Sequence, residues 1–161
     1  MSLAAEAPPW VALIFAILLI AAGLQDAAQA RMSNRIVVLL IAGAVVAAIV
    51  IGPKLEIWEN IAVFAALLVL GTVMFAKGVL GGGDVKVLAA TSLWFNLAGA
   101  AKMLIAVVMS GGVLALLVIA ARLVNWGEAA RHRLPFLQPG TGIPYGMAIS
   151  AGALIAAALE R

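Results

Sequence analysis

Apolar runs long enough to cross a bilayer recur along the whole chain, and no other feature of the sequence restricts its fold so strongly. A hydrocarbon core about 30 Å thick takes about 17–25 apolar residues per helix. The runs fall near residues 10–25, 36–52, 61–76, 85–101, 103–123 and 143–159. The expected fold is therefore an all-α integral membrane protein, a bundle of six transmembrane helices forming one polytopic domain over residues 1–161. A hydrophobic share of 66% with 11% charged residues and a mean hydropathy of +1.19 places the chain outside the range of soluble domains.

The fourth and fifth runs almost touch. They are divided here at "GAAK", residues 99–102, because glycine and lysine in mid-bilayer are costly. Orientation follows from the basic residues. Arg31, Arg35, Lys77, Lys86, Arg122, Arg131 and Arg133 fall on one side, and Lys54, Lys102 and Arg161 on the other. The positive-inside rule puts the first group in the cytoplasm and both termini outside it. Trp10 and Trp58 suit the outer interface and Trp126 the inner one, whereas Trp94 suits neither and is expected inside the bundle. "MSLAAEAPP" lacks the basic start of a secretory signal and carries Glu6, so cleavage at the signal-like "AQA", residues 28–30, is not expected. No repeat is evident, and the longest polar stretch runs from residue 125 to 142.

The chemistry available is narrow. There is no cysteine, and the single histidine, His132, cannot form a metal cluster, so neither a metal nor any other cofactor is expected. The net charge of +3 and pI near 9.8 come from basic residues scattered in short loops, which read as topology signals; no nucleic-acid partner is expected. Of the seven acids, Glu6, Glu56, Glu59, Glu128 and Glu160 lie in tails or loops. Asp26 ends the first run and Asp84 begins the fourth, so the two share one depth at the cytoplasmic edge. Each alone has a bland explanation, since aspartate is favoured at helix N-termini and tolerated at interfaces. Together they point further. Two carboxylates close together in a low-dielectric site share a proton, so that one can take a proton from water while the other protonates the substrate.

"LGGGDVK", residues 80–86, sets three glycines before the second acid. Gly81, Gly82 and Gly83 allow unusual backbone conformations and the close approach of another chain, although a plain flexible turn uses the same residues. Asp84, Thr91, Ser92 and Asn96 recur at helical spacing and mark the face of the fourth helix turned inward, with Leu88 interrupting them. Lys86 can tune Asp84 or meet substrate, or serve topology. Asn34 can orient the first loop or cap a helix, and Tyr145 can line the site or anchor at the interface. Gly111 and Gly112 are expected to permit close helix packing.

These segments resemble the GxGD membrane aspartic proteases, and among them the type IV prepilin peptidases. Gly81, Gly83, Asp84, Val85 and Lys86 reproduce the GxGD-V-K element. "DAAQARMSNR", residues 26–35, is similar to the first-aspartate segment, with Asp26 and Asn34 matching. The departures are Met32 where the family tends to carry isoleucine, Ser33 where it carries proline, and fewer basic residues before them. "GIPYGMAISAGAL", residues 142–154, resembles the final helix of the short Tad/Flp-pilus branch, the CpaA/TadV type. The resemblance implies an endopeptidase of the inner membrane that removes the basic leader of a pilin precursor at the cytoplasmic face. Asp26 and Asp84 would be catalytic, and Gly81, Gly82, Gly83, Lys86, Asn34 and Tyr145 supporting or substrate-binding. The implied partners are the prepilin within the bilayer and the pilus-assembly machinery. Without the cysteine-bearing insertion of the larger family members, N-methylation of the product is not implied. The Pro-Ala-Leu motif of the presenilin relatives is absent. Read without the resemblance, the residues leave two alternatives open: a small ion- or proton-coupled transporter or channel, and a non-catalytic pilus-assembly subunit.

Overall fold

A computed structural model describes residues 2–29, 32–52, 54–123 and 142–161. The expectations for Arg31, Trp126, Glu128, Arg131, His132 and Arg133, and for most of the polar stretch 125–142, lie outside the described residues. The described residues form helices joined by short connections: α1 (Leu3–Glu6), α2 (Pro9–Gln29), α3 (Asn34–Ile51), α4 (Ile57–Ala76), α5 (Gly82–Ser92), α6 (Leu97–Leu123) and α7 (Tyr145–Leu159), with no strand among the described residues. Four of these, α2, α3, α4 and α6, are long and apolar enough to cross a membrane, and α7 is apolar but only 15 residues long. Large apolar side chains such as Leu13, Ile49, Val108 and Leu116 point outward along these helices, as they should when the surrounding solvent is lipid. The protein is a multi-pass membrane protein.

α5 departs from the expected six full spans. It has 11 residues, about 16 Å of helix, roughly half of what a full crossing needs. It nevertheless forms the centre of the bundle. α3, α4 and α7 all pack on α5, while α7 also packs along α2 and α6. Val87, Ala89, Ala90, Thr91 and Ser92 are buried, which bears out the inward face read from Thr91 and Ser92. Asn96 has left that face for a different task.

The break after this half-length helix was expected at residues 99–102 and falls instead at residues 93–96, so that Gly99 and Lys102 belong to α6. The reason is capping. The Asn96 side chain accepts a hydrogen bond from the Gly99 backbone N–H at 2.8 Å, which supplies an N-cap for α6. The carbonyls freed by the break cannot be left bare in a membrane. Asn60, itself buried, donates from Nδ2 to the Leu93 carbonyl at 2.9 Å. The Trp94 carbonyl accepts from the Ala4 backbone N–H at 2.8 Å. This last bond explains α1, which the sequence reading had not anticipated: residues 3–7 tuck into the bundle, with Leu3, Ala4 and Ala7 buried, and close off the break.

Trp94 is fully buried as expected, stacked on Phe15 with ring centroids 4.2 Å apart and donating from Nε1 to the Leu40 carbonyl at 3.0 Å. Lys102 reaches the bundle end and pairs with Glu160 at 3.6 Å. Glu160 also accepts from the Ser2 hydroxyl, and Arg161 donates to the carbonyls of Ala4 and Ala7. The expectation for Gly111 and Gly112 is corrected. A Cβ at Gly112 would meet open space and one at Gly111 only ordinary contact, whereas Gly152 of α7 lies directly on the Val107 backbone of α6. The close approach is made from the other helix.

Candidate active site

At the end of the bundle away from Glu160, the C-terminus of α2, the N-termini of α3, α5 and α7 and the C-terminus of α4 come together. A small-residue seam sets how near α2 and α7 lie. A Cβ at Gly23 would fall 3.3 Å from the Ser150 Cβ, so the two backbones are almost in contact there. One turn further along each helix stand Asp26 and Gly146. Asp26 is 7% exposed, and its Oδ2 accepts from the Gly146 backbone N–H at 2.7 Å, with the Met147 N–H acting on the same carboxylate. These are among the N–H groups that an α-helix cannot satisfy within itself at its first turn. A carboxylate at that positive helix end is well placed electrostatically.

Asp84 occupies the third position of α5, after its N-cap Gly81, and its carboxylate turns back to accept from the Gly81 N–H. That is one half of a capping box. The three glycines have separate neighbours. A Cβ at Gly81 would stand 2.8 Å from Asp84 Oδ2, one at Gly82 would stand 3.3 Å from Phe75 Cε2, and one at Gly83 would stand 2.7 Å from Met32 Cβ. The triplet is therefore closely packed by this chain's own side chains. The expected unusual backbone conformation is absent, because Gly81 has φ −70° and positive φ among the described residues occurs at Gly52 and Gly78.

Asp84 is half-buried and lies outside the four long spans. Burial, and then the charge of Asp26, push its carboxyl up to about 6, against a smaller opposing effect of the Gly81 N–H. The two acids are thus near enough to act on each other electrostatically. Each has a backbone N–H holding it in place, which leaves oxygen lone pairs available to water or substrate.

Two of the residues expected to support the site meet directly. Lys86 Nζ donates to Asn34 Oδ1 at 3.1 Å, an exposed bond between the first turns of α5 and α3. Asn34 is not the helix cap: Ser33 is, accepting from the Arg35 N–H at 3.2 Å. Tyr145 opens α7 and is 42% exposed, and the contact to Asp26 is made by its neighbour Gly146. The sequence reading missed Gly146 and Met32 as site residues. Gly146 carried a signal, a glycine directly after Pro144 and Tyr145 at a helix start. Met32 carried only its place in the first-aspartate segment, because its contacts are made with segments far apart in the chain. No group of residues able to hold a metal ion occurs among the described residues.

Residues 13–120 match the model of the type IV leader peptidase family. The matched stretch contains Asp26, Asn34, the glycine triplet, Asp84 and Lys86, and stops short of α7. No curated protein and no solved structure matches the chain.

Proposed function

This chain belongs to the type IV leader peptidase family, and from that premise we propose that it is an aspartic endopeptidase removing the basic leader of Flp-type prepilins at the cytoplasmic face of the inner membrane. Asp26 and Asp84 are the catalytic pair. The observation that carries this reading is the arrangement of the two carboxylates: they come from separate helices, each fixed by a backbone N–H, and are close enough for one charge to raise the other's proton affinity.

In the singly protonated pair, Asp84 holds the proton and Asp26 acts as base. Asp26 takes a proton from water as the water oxygen attacks the scissile carbonyl carbon, and Asp84 gives its proton to the carbonyl oxygen. The C–N bond then breaks, the amine leaves with the proton held by Asp26, and the hydroxyl formed on the carbonyl oxygen returns its proton to Asp84 as the new carboxyl group forms. Placement at the bundle end suits a substrate whose hydrophobic helix stays in the bilayer while its leader stays in water. An acid pair in mid-bilayer would require that helix to unwind in lipid. The basic residues of the first cytoplasmic loop and of the helix ends beside the site support the assigned orientation.

Co-expression with an Flp-type pilin precursor tests the assignment. The precursor should move to the mature size on a gel with the wild-type chain and remain full-length without it. A transporter or channel would instead give ion flux in liposomes and leave the precursor intact. A non-catalytic assembly subunit would leave both processing and flux unchanged while pilus formation failed in its absence.

A further inference from the structure

We propose that Met32 determines which side-chain sizes are accepted beside the scissile bond, an inference that rests on the leader-peptidase reading above. Met32 lies in the connection between α2 and α3, and that connection is pinned at the next residue, Ser33, from both helices. The Ser33 N–H donates to Gln25 Oε1 at 3.1 Å, while Ser33 Oγ caps α3. Held in this way, the Met32 side chain turns inward, half-buried and packed against the core.

Its two ends touch the two halves of the site. A Cβ at Gly83 would stand 2.7 Å from Met32 Cβ and 3.1 Å from Met32 Cγ, and a Cβ at Gly146 would overlap Met32 Cε. Gly83 directly precedes Asp84, and Gly146 is the residue whose N–H holds Asp26. The thioether therefore bridges from the backbone that carries one acid to the backbone that orients the other. A peptide carbonyl brought between the carboxylates has this side chain as its neighbour. The two glycines themselves place no side chain there, so the length and shape of residue 32 set the room that remains. An unbranched thioether is a yielding, apolar wall, suited to an uncharged side chain.

The experiment uses the purified full-length chain in lipid vesicles and a set of pilin precursors carrying Gly, Ala, Leu or Phe at each position flanking the cut. The ratio of kcat/KM for a bulky residue to that for alanine is the readout. Met32→Ala should raise this ratio about tenfold or more at one of the two positions, since a missing methylene or two in such a pocket changes discrimination about 10–200-fold. Met32→Leu should keep the wild-type order, and Met32→Phe should lower the ratio. An unchanged order in both Met32→Ala and Met32→Phe, or a uniform loss of rate across all precursors, overturns the proposal while the peptidase reading stands. A wild-type chain that cleaves no precursor overturns the peptidase reading, and this proposal with it.

Discussion

Asp84 carries two roles on one side chain, since the same carboxylate that reaches back to cap α5 also faces Asp26. Its proton affinity gives a prediction on activity. With the carboxyl pushed up to about 6, the singly protonated pair is depleted as the pH rises through that value, so cleavage should fall on the alkaline side, as a pH–rate profile on a purified precursor would show. Stability gives a second prediction, with the sign as follows. The folded-state value lies above the ordinary 3.8, so the unfolded chain gives up this proton at lower pH than the folded one. The stabilising effect of the proton is complete below about 4 and lost as pH rises through about 6. Asp84→Asn, which keeps the shape without the charge, should therefore melt at a higher temperature than wild type at pH 8. The difference should vanish near pH 4, and thermal unfolding in detergent at the two values checks it. Gly81→Ala tests the geometry, because its Cβ would press on Asp84 Oδ2; cleavage should drop about tenfold or more, the order expected when a catalytic group is displaced by a fraction of an ångström. At this scale the sequence was informative. Asp26 and Asp84 could be picked out because each is an acid out of place in an apolar chain, and Asn34 and Lys86 because each falls in a motif segment beside one of them. Gly146 and Met32 showed only their places in such segments, since what an apolar side chain or a glycine touches depends on what faces it.

The break between α5 and α6 shows how an element boundary in a membrane is decided. A glycine and a lysine near residues 99–102 looked like the costly place to keep helical, yet Gly99 sits inside α6 and Lys102 reaches the bundle end to meet Glu160. What ends α5 is a set of partners for the freed backbone: Asn60 for the Leu93 carbonyl, Ala4 for the Trp94 carbonyl, and Asn96 as cap. The cap was written in the sequence as an asparagine before an apolar run. The other two partners depend on contacts 33 residues away for Asn60 and on an N-terminal helix of 4 residues, too short to show periodicity. Asn60→Leu should thus destabilise the fold by about 1–3 kcal/mol, the cost of leaving a buried carbonyl unpaired. Asn96→Ala should cost about 1 kcal/mol, with Asn96→Asp largely restoring it. Both are measurable by denaturant or thermal unfolding in detergent.

Across the whole molecule the two ends of the bundle are built differently. One end is closed by α1, Glu160, Lys102 and Arg161, with side chains and backbone joined across the terminal helix turns. The other gathers the two acids, the glycine triplet and an exposed Lys86–Asn34 bond, where a soluble leader can enter. The distribution of basic residues sets only an expectation of which end faces the cytoplasm, and the half-length α5 at the centre was not legible, because hydropathy measures how apolar a segment is and not where it stops. The absence of cysteine makes the orientation testable with single introduced cysteines. In intact cells an impermeant thiol reagent should label Lys54→Cys and spare Lys77→Cys; the reverse pattern would turn the bundle over. The central claim is that Asp26 and Asp84 together cut the precursor. The most direct test is the intact mass of a purified pilin precursor after incubation with the wild-type chain, with Asp26→Asn and with Asp84→Asn, each shown to be folded. The account expects loss of the leader mass with wild type and an unchanged precursor with either variant, a fall of at least about a hundredfold in rate. Leader removal at the wild-type rate by either variant would contradict it.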